Sequence, residues 1–178
     1  MEVHFLLSMD DIEAIQKDSV DTLPYYKKRK KVVGFVLSII YLLLVTMMID
    51  GYYILKILMA VVVFLLTNQY IFKYGMIAEV RRLIKNNPEI IESKCKLTIN
   101  EEGFRREFDN TIQQEKWEKV TFANEDNERY FIYISELKKF VFKKRPAHLS
   151  DDEIVLYNSK IHEYLHSVGI QVKHITSR

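Results

Sequence analysis

The sequence predicts a membrane α-hairpin of two transmembrane helices together with a small cytosolic α+β domain, its antiparallel strands closed by a C-terminal helix. Three observations carry this. Two apolar runs lie back to back in residues 32–72, separated only by Asp50-Gly51. Basic residues crowd both outer ends of that pair and are scarce at the bend. Beyond residue 90 the hydrophobic pattern changes to short alternating stretches, with one helical stripe near the end.

The first run, residues 32–49, is 18 residues without a charge. As a helix it measures about 27 Å, close to the roughly 30 Å of a bilayer hydrocarbon core. Twelve of its residues are Val, Ile, Leu or Phe, which together favour insertion by on the order of 5 kcal/mol. The second run, residues 52–72, carries Lys56 near its start and Asn68-Gln69 near its end. Lys56 lies within two turns of the bend and is expected to snorkel to the headgroups. Tyr52, Tyr53 and Tyr70 fall where interfacial aromatics belong. The competing reading is a buried core hairpin of a soluble protein. No secretory signal is expected, because 31 mostly polar residues come first and a second span follows at once. Position 2 is not glycine and no terminal cysteine motif is present, so no lipidation is expected either.

The mean hydropathy of −0.10 averages two unlike parts. A net charge of +2 gives no reason to expect a nucleic-acid partner. The single cysteine, Cys95, cannot form an internal disulfide, in keeping with reducing surroundings.

Taken in order, the chain divides into four segments. Residues 1–31 are cytosolic: a short strand from Val3, then an acidic helix with Ser8 as N-cap and Asp10 and Asp11 in its first turn. The sign then reverses at Lys27, Lys28, Arg29, Lys30 and Lys31. This block reads as a stop for translocation and as a contact with anionic lipid headgroups, worth about 1 kcal/mol per charge. Residues 32–72 are the hairpin. With Lys73, Arg81, Arg82 and Lys85 after the second run, the positive-inside rule puts both termini in the cytoplasm of a two-span cell-membrane protein. Residues 73–90 continue as a juxtamembrane helix with the stripe Met76, Ile77, Val80, Leu83 and Ile84, ended by Asn86-Asn87-Pro88.

Residues 91–178 form the C-terminal domain. Cys95, Leu97 and Ile99 alternate with polar residues as a half-buried strand, and Glu101-Glu102-Gly103 makes a turn. Strands follow around residues 104–108, 111–115, the Trp117-Val120-Phe122 segment, 129–135 and 139–143, with turns at Asp109-Asn110 and residues 124–128. Ser150 and Glu153 have capping-box spacing and open a helix with the stripe Ile154, Tyr157, Ile161, Tyr164, Leu165 and Val168, ended by Gly169. This suggests a small roll or barrel capped at one end.

The order of these parts, with Ile99-Asn100-Glu101-Glu102-Gly103-Phe104, Trp117-Glu118-Lys119-Val120 and Phe140-Val141-Phe142-Lys143-Lys144-Arg145, resembles the YcxB-like proteins of bacteria over nearly the whole chain. The family usually runs an apolar strand into Pro-Lys-Arg and an aromatic. Here Pro146 follows the basic run, and Ala147-His148 replaces the aromatic. The resemblance implies a pleckstrin-homology-like C-terminal domain and no assigned activity.

Candidate chemistry is sparse. His162-Glu163-Tyr164-Leu165-His166 matches H-E-x-x-H, in which two histidines one turn apart bind zinc and the glutamate polarises a water. The next ligand position of the longer pattern is Val172, no Asp or Glu follows His166, and a catalytic zinc needs three protein ligands. The amphipathic stripe explains the spacing instead. No glycine-rich phosphate loop and no nucleophile elbow is present, so no catalytic residue, metal or cofactor is expected. Lys138, Lys139, Lys143, Lys144 and Arg145, interleaved with Phe140 and Phe142, read either as a charged edge strand that resists aggregation or as a patch for a protein partner or lipid. The function expected is a non-catalytic membrane-anchored module that binds a protein or lipid at the inner membrane face. The alternative is a self-immunity protein against a membrane-active bacteriocin or secreted toxin, which would be the partner. A membrane zinc hydrolase ranks third.

Overall fold

The computed structural model describes residues 1–48, 50–86, 94–108 and 111–175. The chain forms two compact units: Met1–Ile15 combines with Ile84–Arg178, and Gln16–Leu83 is separate.

The first unit is built on two four-stranded sheets. Strand β1 (Glu2–Leu6) turns Val3 and Phe5 inward and pairs antiparallel with β2 (Lys94–Ile99), Val3 facing Leu97 and Phe5 facing Cys95. The apolar hairpin is therefore an insertion between two neighbouring strands, and residues 2–6, which the sequence reading kept in an N-terminal segment, complete the C-terminal domain. The antiparallel meander continues with β3 (Gly103–Phe108) and β4 (Thr111–Lys116). At the β2–β3 turn the Asn100 side chain accepts from the backbone N–H groups of Glu102 and Gly103 at 3.2 and 2.9 Å. A Cβ at position 103 would collide with the Glu115 carbonyl, so the close approach of β3 to β4 requires glycine there.

A 3-10 turn, Trp117–Lys119, leads to the second sheet: β5 (Phe122–Glu125), β6 (Arg129–Tyr133) and β7 (Lys139–Lys143), with β8 (Val172–His174) outermost. Its order is β7-β6-β5-β8, antiparallel except that β8 runs parallel to β5. Strand β8 has no alternation to betray it. Phe104 of the first sheet meets Phe140 and Phe142 of the second edge-on at 5.0 and 5.1 Å, and Trp117 at 5.1 Å. Around this aromatic centre Cys95, Leu97, Ile99, Ile132, Tyr133 and Phe142 lose all solvent contact.

Helix α5 (Asp151–Ser167; α1 to α4 follow below) closes the domain by burying Tyr157, Ile161 and Leu165. Its capping box is present in both directions, Ser150 to Glu153 and back, and it ends where Gly169 takes a left-handed φ of 80°.

In the other unit, α1 (Met9–Thr22, of which Met9–Ile15 belong to the β domain) leads into α2 (Pro24–Met48). After a bend at Asp50-Gly51-Tyr52, with left-handed φ at Gly51 and Tyr52, the chain returns through α3 (Tyr53–Leu66), a π-helical turn at Thr67–Ile71 and α4 (Phe72–Asn86). Both arms are long and apolar enough to cross a membrane, and only 6% and 11% of their most apolar windows are buried. At the seam between them Gly34 lies against Phe64 and Asn68. A Cβ at Gly34 would fall 2.9 Å from the Asn68 amide nitrogen, so glycine lets the helices approach. Ser38 donates to the Gly34 carbonyl, Thr67 to Val63 and Asn68 to Phe64, so these groups are satisfied within their own helices. Lys56 departs from expectation: it is 5% exposed, on the same face as Ala60 and Thr67, with its ammonium 5.2 Å from the Tyr53 ring. Leu83, assigned to the apolar stripe of α4, is 54% exposed, whereas Ile77 and Ile84 are buried. Residues 87 and 88, expected to end the helix, lie outside the described residues, as do 91–93, the Asp109-Asn110 turn and 176–178.

Candidate functional site

The β domain contains a polar cleft of about 430 Å³ between the start of α1 and the ends of β6 and β7. Its floor is Asp11, 1% exposed. Sequence forces this residue inward. As the third residue of α1 it completes a capping box with Ser8, accepting from the Ser8 amide at 2.9 Å and hydroxyl at 2.8 Å. Its carboxylate also receives Arg129 Nε at 2.6 Å and Lys143 Nζ at 3.1 Å. Arg129 reaches two further acids, Asp126 at 3.2 Å and Glu128 at 3.0 Å, while Asp126 caps the β5–β6 turn through the Glu128 and Arg129 amides. Burial alone would raise the Asp11 carboxyl, but the bonds from Arg129, Ser8 and Lys143 outweigh it and hold Asp11 below the ordinary carboxylate range. Burial likewise opposes the Arg129 charge, and Asp11 and Asp126 overcome that and raise its pKa. Asp10, Asn127 and Arg145 line the cleft mouth.

The basic run of β7 does not stay together. Lys143 and Arg145 enter this cleft, and Arg145 pairs with Asp151 at 3.0 Å on the surface. Lys144 turns the other way, to Glu125 at 2.9 Å and over the Tyr130 ring at 4.9 Å. Lys138 binds Glu115, and half-buried Lys139 is also engaged. The missed residues of the cleft are Asp11 and Arg129. The sequence places Asp11 only in the first turn of a helix capped by Ser8 and gives no sign of its partners.

The H-E-x-x-H histidines diverge. His162 Nε2 lies 3.4 Å from Glu125, and His174 Nδ1 of β8 lies 3.8 Å from it, while His166 and Glu163 are exposed. Glu125 is already paired with Lys144. Tyr130 seals this side by donating to Asn158 at 2.9 Å, and burial with the nearby Glu125 charge raises its pKa. Among the described residues no group of three His, Cys, Asp or Glu is placed to hold a metal ion.

Lys27, Lys28, Arg29, Lys30 and Lys31 run from the end of the first turn of α2 through its second, and all but half-buried Lys30 are exposed. At 100° per residue they encircle the helix. No carboxylate pairs with any of them among the described residues. The contact of Gly34 with Asn68 brings Lys73 to the same end of the hairpin, where it binds Asp21 at 2.6 Å. No family model, no curated protein and no solved structure matches the chain.

Proposed function

We propose that the chain is a non-catalytic membrane-anchored module. Its hairpin crosses the cell membrane twice with both ends in the cytoplasm, and its small β domain binds a protein partner or lipid at the inner face. The observation that carries this reading is the pairing of β1 with β2. A bilayer cannot divide a hydrogen-bonded sheet, because every ladder group would lose its partner in hydrocarbon. Strands on either side of the insertion therefore share one compartment, and an apolar segment between them enters and leaves the membrane on one side. The basic collar at residues 27–31 selects the cytoplasm as that side. A four-stranded meander facing a second sheet under a C-terminal helix supports a pleckstrin-homology-like domain and the YcxB-like resemblance. The cleft at Asp11 offers such a domain a docking face.

Topology reporters fused before Met1 and after Arg178 test the reading. Both are expected to report cytoplasm. Opposite signals from the two fusions would refute it.

A further inference from the structure

The inner face of β3 carries an arginine. Its register with β2 sets Arg106 opposite Leu97, on the face shared with Phe104, where Cys95, Leu97 and Ile99 lose all solvent contact. The guanidinium lies 4.3 Å from the Phe108 ring centroid and 4.9 Å from that of Phe140. Its Nη2 donates to Gln113 Oε1 at 3.0 Å, while the Nε–H is buried and meets no acceptor. No carboxylate pairs with it among the described residues. Elsewhere in the same domain the structure neutralises its partly buried cations: Arg129 faces three acids, and Lys143 and Lys144 each hold one. Burial pulls the Arg106 pKa down to about 10, which leaves it charged at neutral pH. A desolvated cation without a counter-ion is costly unless an anion arrives.

We propose that Arg106 anchors a binding site for a carboxylate monoanion carried on an apolar or aromatic body. One uncompensated cation selects a single negative charge. The planar guanidinium fork matches the two oxygens of a carboxylate, and Phe108 and Phe140 supply apolar walls. Arg106 and Phe108 are both partly exposed, so the edge is reachable. The site lies wholly within the β domain and does not depend on the membrane reading.

The test uses the full chain in lipid nanodiscs, titrated with sodium benzoate and with N-acetylphenylalanine at constant ionic strength. Benzyl alcohol and N-acetylphenylalaninamide are the neutral controls, and the ring resonances of Phe108 and Phe140 are the readout. Saturable shifts are expected with the carboxylates and not with the neutral analogues. Tighter binding of benzoate assigns a small-molecule ligand, and tighter binding of N-acetylphenylalanine a peptide terminus. Arg106→Lys, which keeps the charge and loses the fork, should weaken binding at least tenfold, and Arg106→Gln should abolish it. Trp117 fluorescence checks that each variant is folded, and Arg106→Lys decides if Arg106→Gln is not. Absence of saturation, equal binding of the neutral analogues, or wild-type affinity in a folded Arg106 variant would overturn the proposal.

Discussion

The chain carries two dense basic runs, residues 27–31 before the first apolar segment and Lys138 to Arg145 along β7, and they meet opposite fates. On α2 the five cations follow one another around a helix, and among the described residues none pairs with a carboxylate. On β7 the alternation of a strand throws neighbouring side chains to opposite faces, so Lys143 goes to Asp11 and Lys144 to Glu125. Five cations in each run thus become a solvated collar in one place and, in the other, a set of ion pairs of which those of Lys143 and Lys144 lie inside the domain. The first is free to meet anionic lipid. The second holds the domain together, and neutralising it should cost stability before it costs affinity.

This contrast can be broken most directly at Asp11. Asp11→Ala would leave Arg129 and Lys143 clustered without their shared acid, and a loss of about 3–5 kcal/mol is expected for breaking a buried pair. Urea denaturation followed through Trp117 measures it, and a loss below about 1 kcal/mol would contradict the internal role. The same residue sets a pH dependence. Its folded pKa lies below the unfolded value, so its stabilisation is complete above about pH 4 and is lost as pH falls through the folded pKa. Wild-type stability should therefore decline more steeply below pH 4 than that of Asp11→Ala.

Changing all five residues at 27–31 to Gln should do the reverse. Attraction to anionic vesicles should fall by about 1 kcal/mol per charge, with domain stability unchanged and the protein still in the membrane fraction, because the apolar hairpin dominates insertion. Release into the soluble fraction would show that the collar, not the hairpin, holds the protein there. A finer division is expected within the β7 run. Lys144→Gln, with its pair largely buried, should cost about 1–2 kcal/mol. Arg145→Gln, whose partner Asp151 is as exposed as itself, should cost less than about 0.5 kcal/mol. Equal losses at the two sites would erase the distinction between internal and surface pairs.

The smallest effects are expected at the histidines. His162→Ala and His166→Ala, both on exposed positions of α5, should each change stability by less than about 0.5 kcal/mol. Elemental analysis of the purified protein should find no stoichiometric zinc. One equivalent of tightly held zinc, with loss of a cellular phenotype in Glu163→Gln, would restore the hydrolase reading.

What the sequence determined by itself was whatever depends on near neighbours. Eighteen uncharged residues make an apolar helix in almost any context, the Ser150–Glu153 capping box starts α5 through bonds three residues apart, and alternation at Cys95, Leu97 and Ile99 makes a strand with one inner face. Tertiary structure alone decided which strand pairs with which and which charge meets which. Val3 and Phe5 show that β1 needs cover, but nothing local names β2, on the far side of the hairpin, as the partner. The junction of Asp11 with Arg129 and Lys143 joins three elements, and β8 is held by its parallel register with β5 rather than by any pattern of its own. Periodicity reports the face a residue presents. The partner on that face is chosen by loop closure and packing over the whole chain, where ordering entropy must be repaid by long-range contacts, so it is written in no single segment.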